Sequence, residues 1–205
     1  MSAMALYRIH TKGHCHPAKG WFADFESAFM CPECWALDLG LRSKGVDVWL
    51  EEKPPRYAIN SVRPPGVGIA QVDFLSLFKD EVSRLLVLGR VFDQDGAEIE
   101  GLVTFVAHRP LPLRGGHQST HSFCPKCGRF RYSAANDWYV VKNSLTGAPL
   151  YECRMGGLVV TEDLYRRVDR KAWKGIYVTK VPVKDEPEDG ITDFPENYYY
   201  RGPQT

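Results

Sequence analysis

The stretch SFCPKCGRFRYS, residues 122–133, carries two cysteines separated by two residues, with Pro125 inside the pair and Gly128 directly behind it. A near copy, AFMCPECWALDL, occupies residues 28–39. A C-x-x-C pair in a tight knuckle aims two sulfurs at one point, and two knuckles supply four thiolates to a tetrahedral ion. Gly128 suits the second knuckle, because the position after such a pair often needs a positive φ. Apolar and aromatic residues flank each pair as in a β-hairpin. The pattern predicts a zinc-ribbon-like element built from about 28–39 and 121–133. Its ligands are Cys31, Cys34, Cys124 and Cys127, and its metal is a structural Zn2+. Trp35 stands where the second knuckle has its glycine.

A second chemistry competes for the same residues. A Cys-Pro-x-Cys pair at a helix start is how a thiol–disulfide oxidoreductase lowers the pKa of one thiol. Here the second pair runs into GRFRYS, which reads as a strand. Two copies also suit a four-ligand cage better than two active sites. Cys15 and Cys153 are expected to be plain buried cysteines. His14, Cys15 and His16 alternate along an extended segment, so at most two of them reach one ion. His117 and His121 lie close to Cys124 in sequence and remain candidate substitutes for a cysteine. A surface or turn role is the expectation for each histidine.

The chain has 205 residues, 44% hydrophobic and 25% charged, with a formal net charge of +1. That length suits a single α+β domain, and the near-neutral charge makes nucleic acid an unlikely main partner. No segment has the apolar core of a signal peptide or the roughly 18 apolar residues of a membrane span. The expectation is a cytoplasmic protein that does not engage a membrane.

Along the chain, residues 5–10 and 46–50 read as strands. Residues 51–68 read as a proline-punctuated loop. Residues 73–88 form the best amphipathic helix, capped by Asp73 and stopped by Gly89. Asp95-Gly96 and Thr146-Gly147 signal hairpins. Residues 157–183 read as strand, helix and strand, with Thr161 capping the helix and cations towards its end. The tail, 184–205, opens with six acids and one lysine over residues 184–196. Tyr198, Tyr199 and Tyr200 give that tail something to dock with.

No nucleophile elbow, zinc-protease helix, phosphate loop or dinucleotide fingerprint is present, and a four-thiolate site leaves no open position to activate water. The expectation is a non-enzymatic protein. With CPECW at 31–35, CPKCGR at 124–129 and LVVTEDLYRRV…WKGIYVTKV at 158–181, the chain resembles the double-CXXCG family of bacterial immunity proteins from polymorphic toxin systems. That resemblance implies a protein that binds and neutralises a cognate protein toxin. Candidate anchors are Arg109 and Arg114 in the central loop. In the tail, Asp185, Glu186, Glu188 and Asp189 could meet a basic nuclease cleft, although a merely solvated tail explains those acids equally well. The alternatives are a zinc-ribbon nucleic-acid-binding or adaptor protein, and the CPxC oxidoreductase.

Overall fold

Strand β1 (Leu6–His10) buries Leu6 and Ile9 in two different apolar cores. Residues three apart on a strand point to opposite faces, so the sheet containing β1 is covered on both sides. The computed structural model describes residues 5–11, 14–21, 24–25, 30–34, 44–52, 57–62, 67–108, 111–133, 137–153, 156–195 and 198–201. Over these residues the protein is a mixed α+β structure, mostly sheet, with few helices.

The sheet around β1 has four strands. It orders β12 (Leu150–Glu152), β13 (Leu158–Thr161), β1 and β14 (Tyr177–Lys180). Both neighbours of β1 run antiparallel to it. The strands of the C-terminal strand–helix–strand unit are therefore parallel to each other, with the N-terminal strand inserted between them. A six-stranded sheet lies beyond the first core. It orders β2 (His14–Cys15), β4 (Ile59–Val62), β5 (Val67–Gln71), β7 (Glu98–Ala107), β6 (Leu86–Phe92) and β3 (Val48–Trp49).

Alternation along the strands builds the layers. Ala70, Phe105 and Ala107 face the core shared with Ile9, Leu158 and Val160, where Phe74, Phe78 and Leu164 also pack. Ile69 and Val106, one residue out of phase, face an outer core with Cys15, Phe25, Met30, Val48 and Leu50. On the far side of the four-stranded sheet, Leu6, Tyr151 and Val159 meet Leu113, Phe130, Tyr132 and Val140. These last residues belong to two small sheets. One orders β15 (Val183–Lys184), β11 (Trp138–Val141) and β8 (Leu113–Gly115). The other orders β16 (Tyr198–Arg201), β10 (Phe130–Ser133) and β9 (Thr120–Phe123).

Three expectations from sequence are corrected. The helix over 73–88 is two short helices, α1 (Val72–Ser76) and α2 (Lys79–Leu85), and the chain becomes strand β6 at Leu86. Phe78 leaves helical geometry at φ −123° and ψ 28°, and it packs edge-on against Phe74 inside the core. The cap of α1 is Gln71 rather than Asp73. Thr161 does precede helix α3 (Glu162–Tyr165), but its side chain makes no capping bond. Arg166, Arg167, Arg170 and Lys171 lie beyond the end of this one-turn helix. The strands flanking Thr146-Gly147 do not pair. A 3-10 turn at Lys142–Ser144 diverts the chain, so β11 and β12 enter different sheets. By contrast, β6 and β7 do form a hairpin, and Asp93 Oδ1 accepts from the N–H groups of Asp95 and Ala97 to hold its turn.

Gly68 on β5 pairs with Phe105 on β7, and the ring of Phe105 lies over the glycine. A Cβ at residue 68 would stand 2.2 Å from the Phe105 ring, which has no free space around it. Gly68→Ala is expected to lower stability by about 1–3 kcal/mol through overpacking. The check is a fall in the urea midpoint with an unchanged denaturant slope.

Candidate metal centre

Cys124 and Cys127 sit at the turn between β9 and β10. The Cys124 N–H donates to the Arg129 carbonyl at 2.9 Å, and the Gly128 N–H donates to the Cys124 carbonyl at 2.8 Å. Gly128 has φ +68°, with open space where a Cβ would stand, so the backbone angle is what requires glycine there. Cys31 and Cys34 lie in a second turn directly after Met30, which is packed in the outer core of the six-stranded sheet. Trp35 lies outside the described residues.

The two turns bring all four sulfurs within 4.8 Å of one another. The short approaches cross between turns: Cys31 to Cys124 at 3.8 Å, and Cys34 to Cys127 at 3.6 Å. A disulfide needs about 2.05 Å, so these are free thiols. Sulfurs placed about 2.3 Å from a tetrahedral centre stand about 3.8 Å apart, and the cross-turn distances match that edge. The four cysteines are thus placed to hold one metal ion. Among the described residues no other group of three or more metal-binding side chains converges.

The backbone prepares some of these thiols for ionisation. Cys124 is buried, yet its pKa is drawn down to about 6, first by the N–H of Cys127 and then by that of Lys126, against the opposing effect of desolvation. For Cys31, desolvation acts upward, but the N–H groups of Cys34 and Glu33 outweigh it and bring the pKa below the ordinary value. Cys127 moves up, through desolvation first and the neighbouring thiols of Cys124 and Cys31 second. Cys15 is the contrast: burial alone pushes it up to about 12. Cys15 and Cys153 are core residues on opposite sides of the molecule's layers.

None of the described histidine side chains joins the cluster. His16 and His117 are exposed, and the side chain of His14 lies outside the described residues. The ring of His121 stacks on Phe130 at 5.3 Å. The turn carrying Cys124 and Cys127 leads into strand β10, so the helix start that an oxidoreductase pair needs is absent there. A cleft of about 340 Å³ at the β6–β7 turn is lined by Glu51, Glu52, Asp93, Asp95 and Glu98, with no cysteine or histidine.

The structure places the expected partner-binding residues differently from a surface of anchors. Arg109 lies outside the described residues. Arg114 is only 4% exposed. Its guanidinium forks onto the Asp189 carboxylate, also donates to the Ile191 carbonyl, and lies 4.6 Å from the centre of the Phe194 ring. The Asp189 side chain is fully covered and accepts from the Tyr132 hydroxyl at 2.7 Å. Arg114 and Asp189 hold the tail to the body of the protein, so neither is presented to a partner. Glu188 pairs with Lys184 at 2.6 Å, and Asp185 approaches Lys142 at 3.6 Å. Glu186 is exposed. Beyond them the tail adds strand β16 in parallel to β10, pairing Tyr198 with Phe130 and Arg201 with Ser133. The tail thus pairs with the body of the protein through its backbone. Tyr132 and Phe194 were missed, and the signal was Ile191 and Phe194 breaking an otherwise acidic run.

The chain matches no family model, and a search of curated proteins finds no match. What the fold and the site define is therefore a class: a mixed α+β protein whose four cysteines converge as a possible metal centre.

Two outcomes follow from this geometry. Cys124→Ser should abolish metal uptake and lower the Tm of the metal-loaded chain by about 10 °C, because a metal held here would close a loop of some 90 residues worth about 4–5 kcal/mol of chain entropy. Metal analysis and a thermal melt read both. Burial pushes the Asp189 pKa upward, but the bonds from Arg114 and Tyr132 hold it below the ordinary carboxylate value. Its contribution is thus complete above about pH 4 and is lost as pH falls through the folded value. Asp189→Asn should cost about 3–5 kcal/mol at neutral pH by stranding a buried cation. The gap to wild type should narrow in urea melts below about pH 4, and the tail should become sensitive to limited proteolysis.

Proposed function

We propose that the chain is a non-enzymatic immunity protein that binds and neutralises a cognate bacterial toxin in the cytoplasm. In this reading Cys31, Cys34, Cys124 and Cys127 hold a structural Zn2+ in a zinc-ribbon-like element. The observation that carries the structural part is the convergence of four sulfurs at tetrahedral-edge distances. Such a set is closed, with no ligand position left for a substrate or an activated water. Thiolates also favour zinc over magnesium or calcium. The metal's role is mechanical: it joins the turn beside Met30 to the hairpin carrying Phe130, and these belong to two different apolar cores.

The choice of toxin as partner rests on the resemblance carried by CPECW, CPKCGR and LVVTEDLYRRV. Co-expression with the product of a neighbouring gene tests it. The expected result is a one-to-one complex, growth rescue of cells making that product, and about one zinc per chain. A neighbouring product that neither harms cells nor co-purifies overturns the toxin reading.

A further inference from the structure

We infer that the open edge of strand β9 is a docking site for an extended, acidic segment of the partner protein, which would add to this sheet as a further strand. The inference rests on the reading of the chain as a binding protein. Within its sheet, β9 is the outermost strand, paired only to β10 among the described residues. Its four residues, Thr120, His121, Ser122 and Phe123, are all exposed. Cys124 turns its N–H inward to Arg129. Backbone groups alternate along an antiparallel strand, so the N–H and C=O of His121 and Phe123 point away from β10, towards the open edge.

Three observations identify the occupant. The same sheet already accepts an added strand on its opposite edge, where the chain's own Tyr198–Arg201 runs beside Phe130–Ser133. An apolar anchor is ready: the Phe123 ring is 66% exposed, yet it continues a row of rings through Phe130 to Phe194. Along this stretch the charged residues are cations: residues 101–136 contain no Asp or Glu, while Lys126 and Arg131 sit on the hairpin. Arg131 is held across the strands by its bond to Ser122. Arg114, another cation of that stretch, is already neutralised by Asp189.

An acidic strand satisfies all three features at once: main-chain bonds give affinity, alternate side chains reach Phe123, and carboxylates meet the cations. A second copy of this chain would oppose these cations with the same cations. A nucleic acid would meet the cations and stack on Phe123 but leave the strand's backbone groups unmatched.

The test uses the full-length metal-bound chain and three probes: a capped peptide of alternating valine and glutamate, its valine–lysine counterpart, and oligothymidylate. Affinity is read by fluorescence anisotropy, and the contact by amide shifts at residues 120–123. The expected result is binding of the glutamate peptide alone, weakened about tenfold or more by His121→Pro. That substitution removes an outward N–H that β10 does not use. Phe123→Ala and Arg131→Glu provide the same reading if the proline variant loses metal or folds poorly. No binding of the glutamate peptide overturns the inference, as does equal binding of the lysine peptide. Binding of oligothymidylate that His121→Pro leaves intact overturns it in favour of nucleic acid. Concentration-dependent dimers that His121→Pro abolishes overturn it in favour of a second copy. A neutralised toxin that still co-purifies with the His121→Pro variant removes the docking edge and leaves the neutralisation reading standing.

Discussion

Four sulfurs within 4.8 Å of one another impose the constraint around which the rest is organised. Backbone N–H groups draw the Cys124 and Cys31 thiols below their ordinary value. Two ionised sulfurs 3.8 Å apart repel each other unless a cation lies between them. The geometry and the ionisation therefore ask for the same thing. A metal at this point converts a local repulsion into a bond between segments 93 residues apart.

That bond matters because of where the two turns are attached. One continues from Met30, in the core outside the six-stranded sheet, and the other continues into Phe130, in the core outside the four-stranded sheet. Between them lies the central core, held by Phe74, Phe78 and Phe105 without any help from the cysteines. The centre is a tie between outer layers rather than a nucleus for the fold. A second tie works on the hairpin's other side. Arg114, Asp189 and Tyr132 form a buried hydrogen-bonded group that fixes the tail, and β16 then completes the sheet next to the metal. A buried ion pair gains little over an apolar replacement, but losing one partner is costly. It acts here as a lock on position more than as a source of stability.

The sequence made the cysteine centre legible because its signal is local and discrete. CPxC occurs twice, and Gly128 marks its turn. It made β1, the β6–β7 hairpin and the C-terminal strands legible through alternation and turn residues. It misled over residues 73–88 because apolar periodicity records which faces are buried and says little about where the chain bends. Phe74 and Phe78 obey helical spacing and both enter the core, yet the helix breaks at Phe78. Leu86, Val87 and Leu88 extend the same periodicity while serving as strand partners of β7. The pairing of Arg114 with Asp189 was out of reach for a different reason. It joins positions 75 residues apart, and each residue alone looks like an ordinary surface charge.

That pairing reverses the electrostatic reading of the molecule. Counted along the chain, the tail is an acidic segment and the natural mate of a basic cleft. In the fold, Asp189 is spent on Arg114, Glu188 faces Lys184 and Asp185 faces Lys142, so half of the tail's six acids are answered within the protein. The acid-free stretch around the second cysteine pair has the other sign, with Lys126 and Arg131 near an exposed ring. Long-range steering follows the charge that remains after internal pairing, not the charge written in a segment. A partner drawn to this protein by its hairpin would carry the opposite sign from one drawn to its tail.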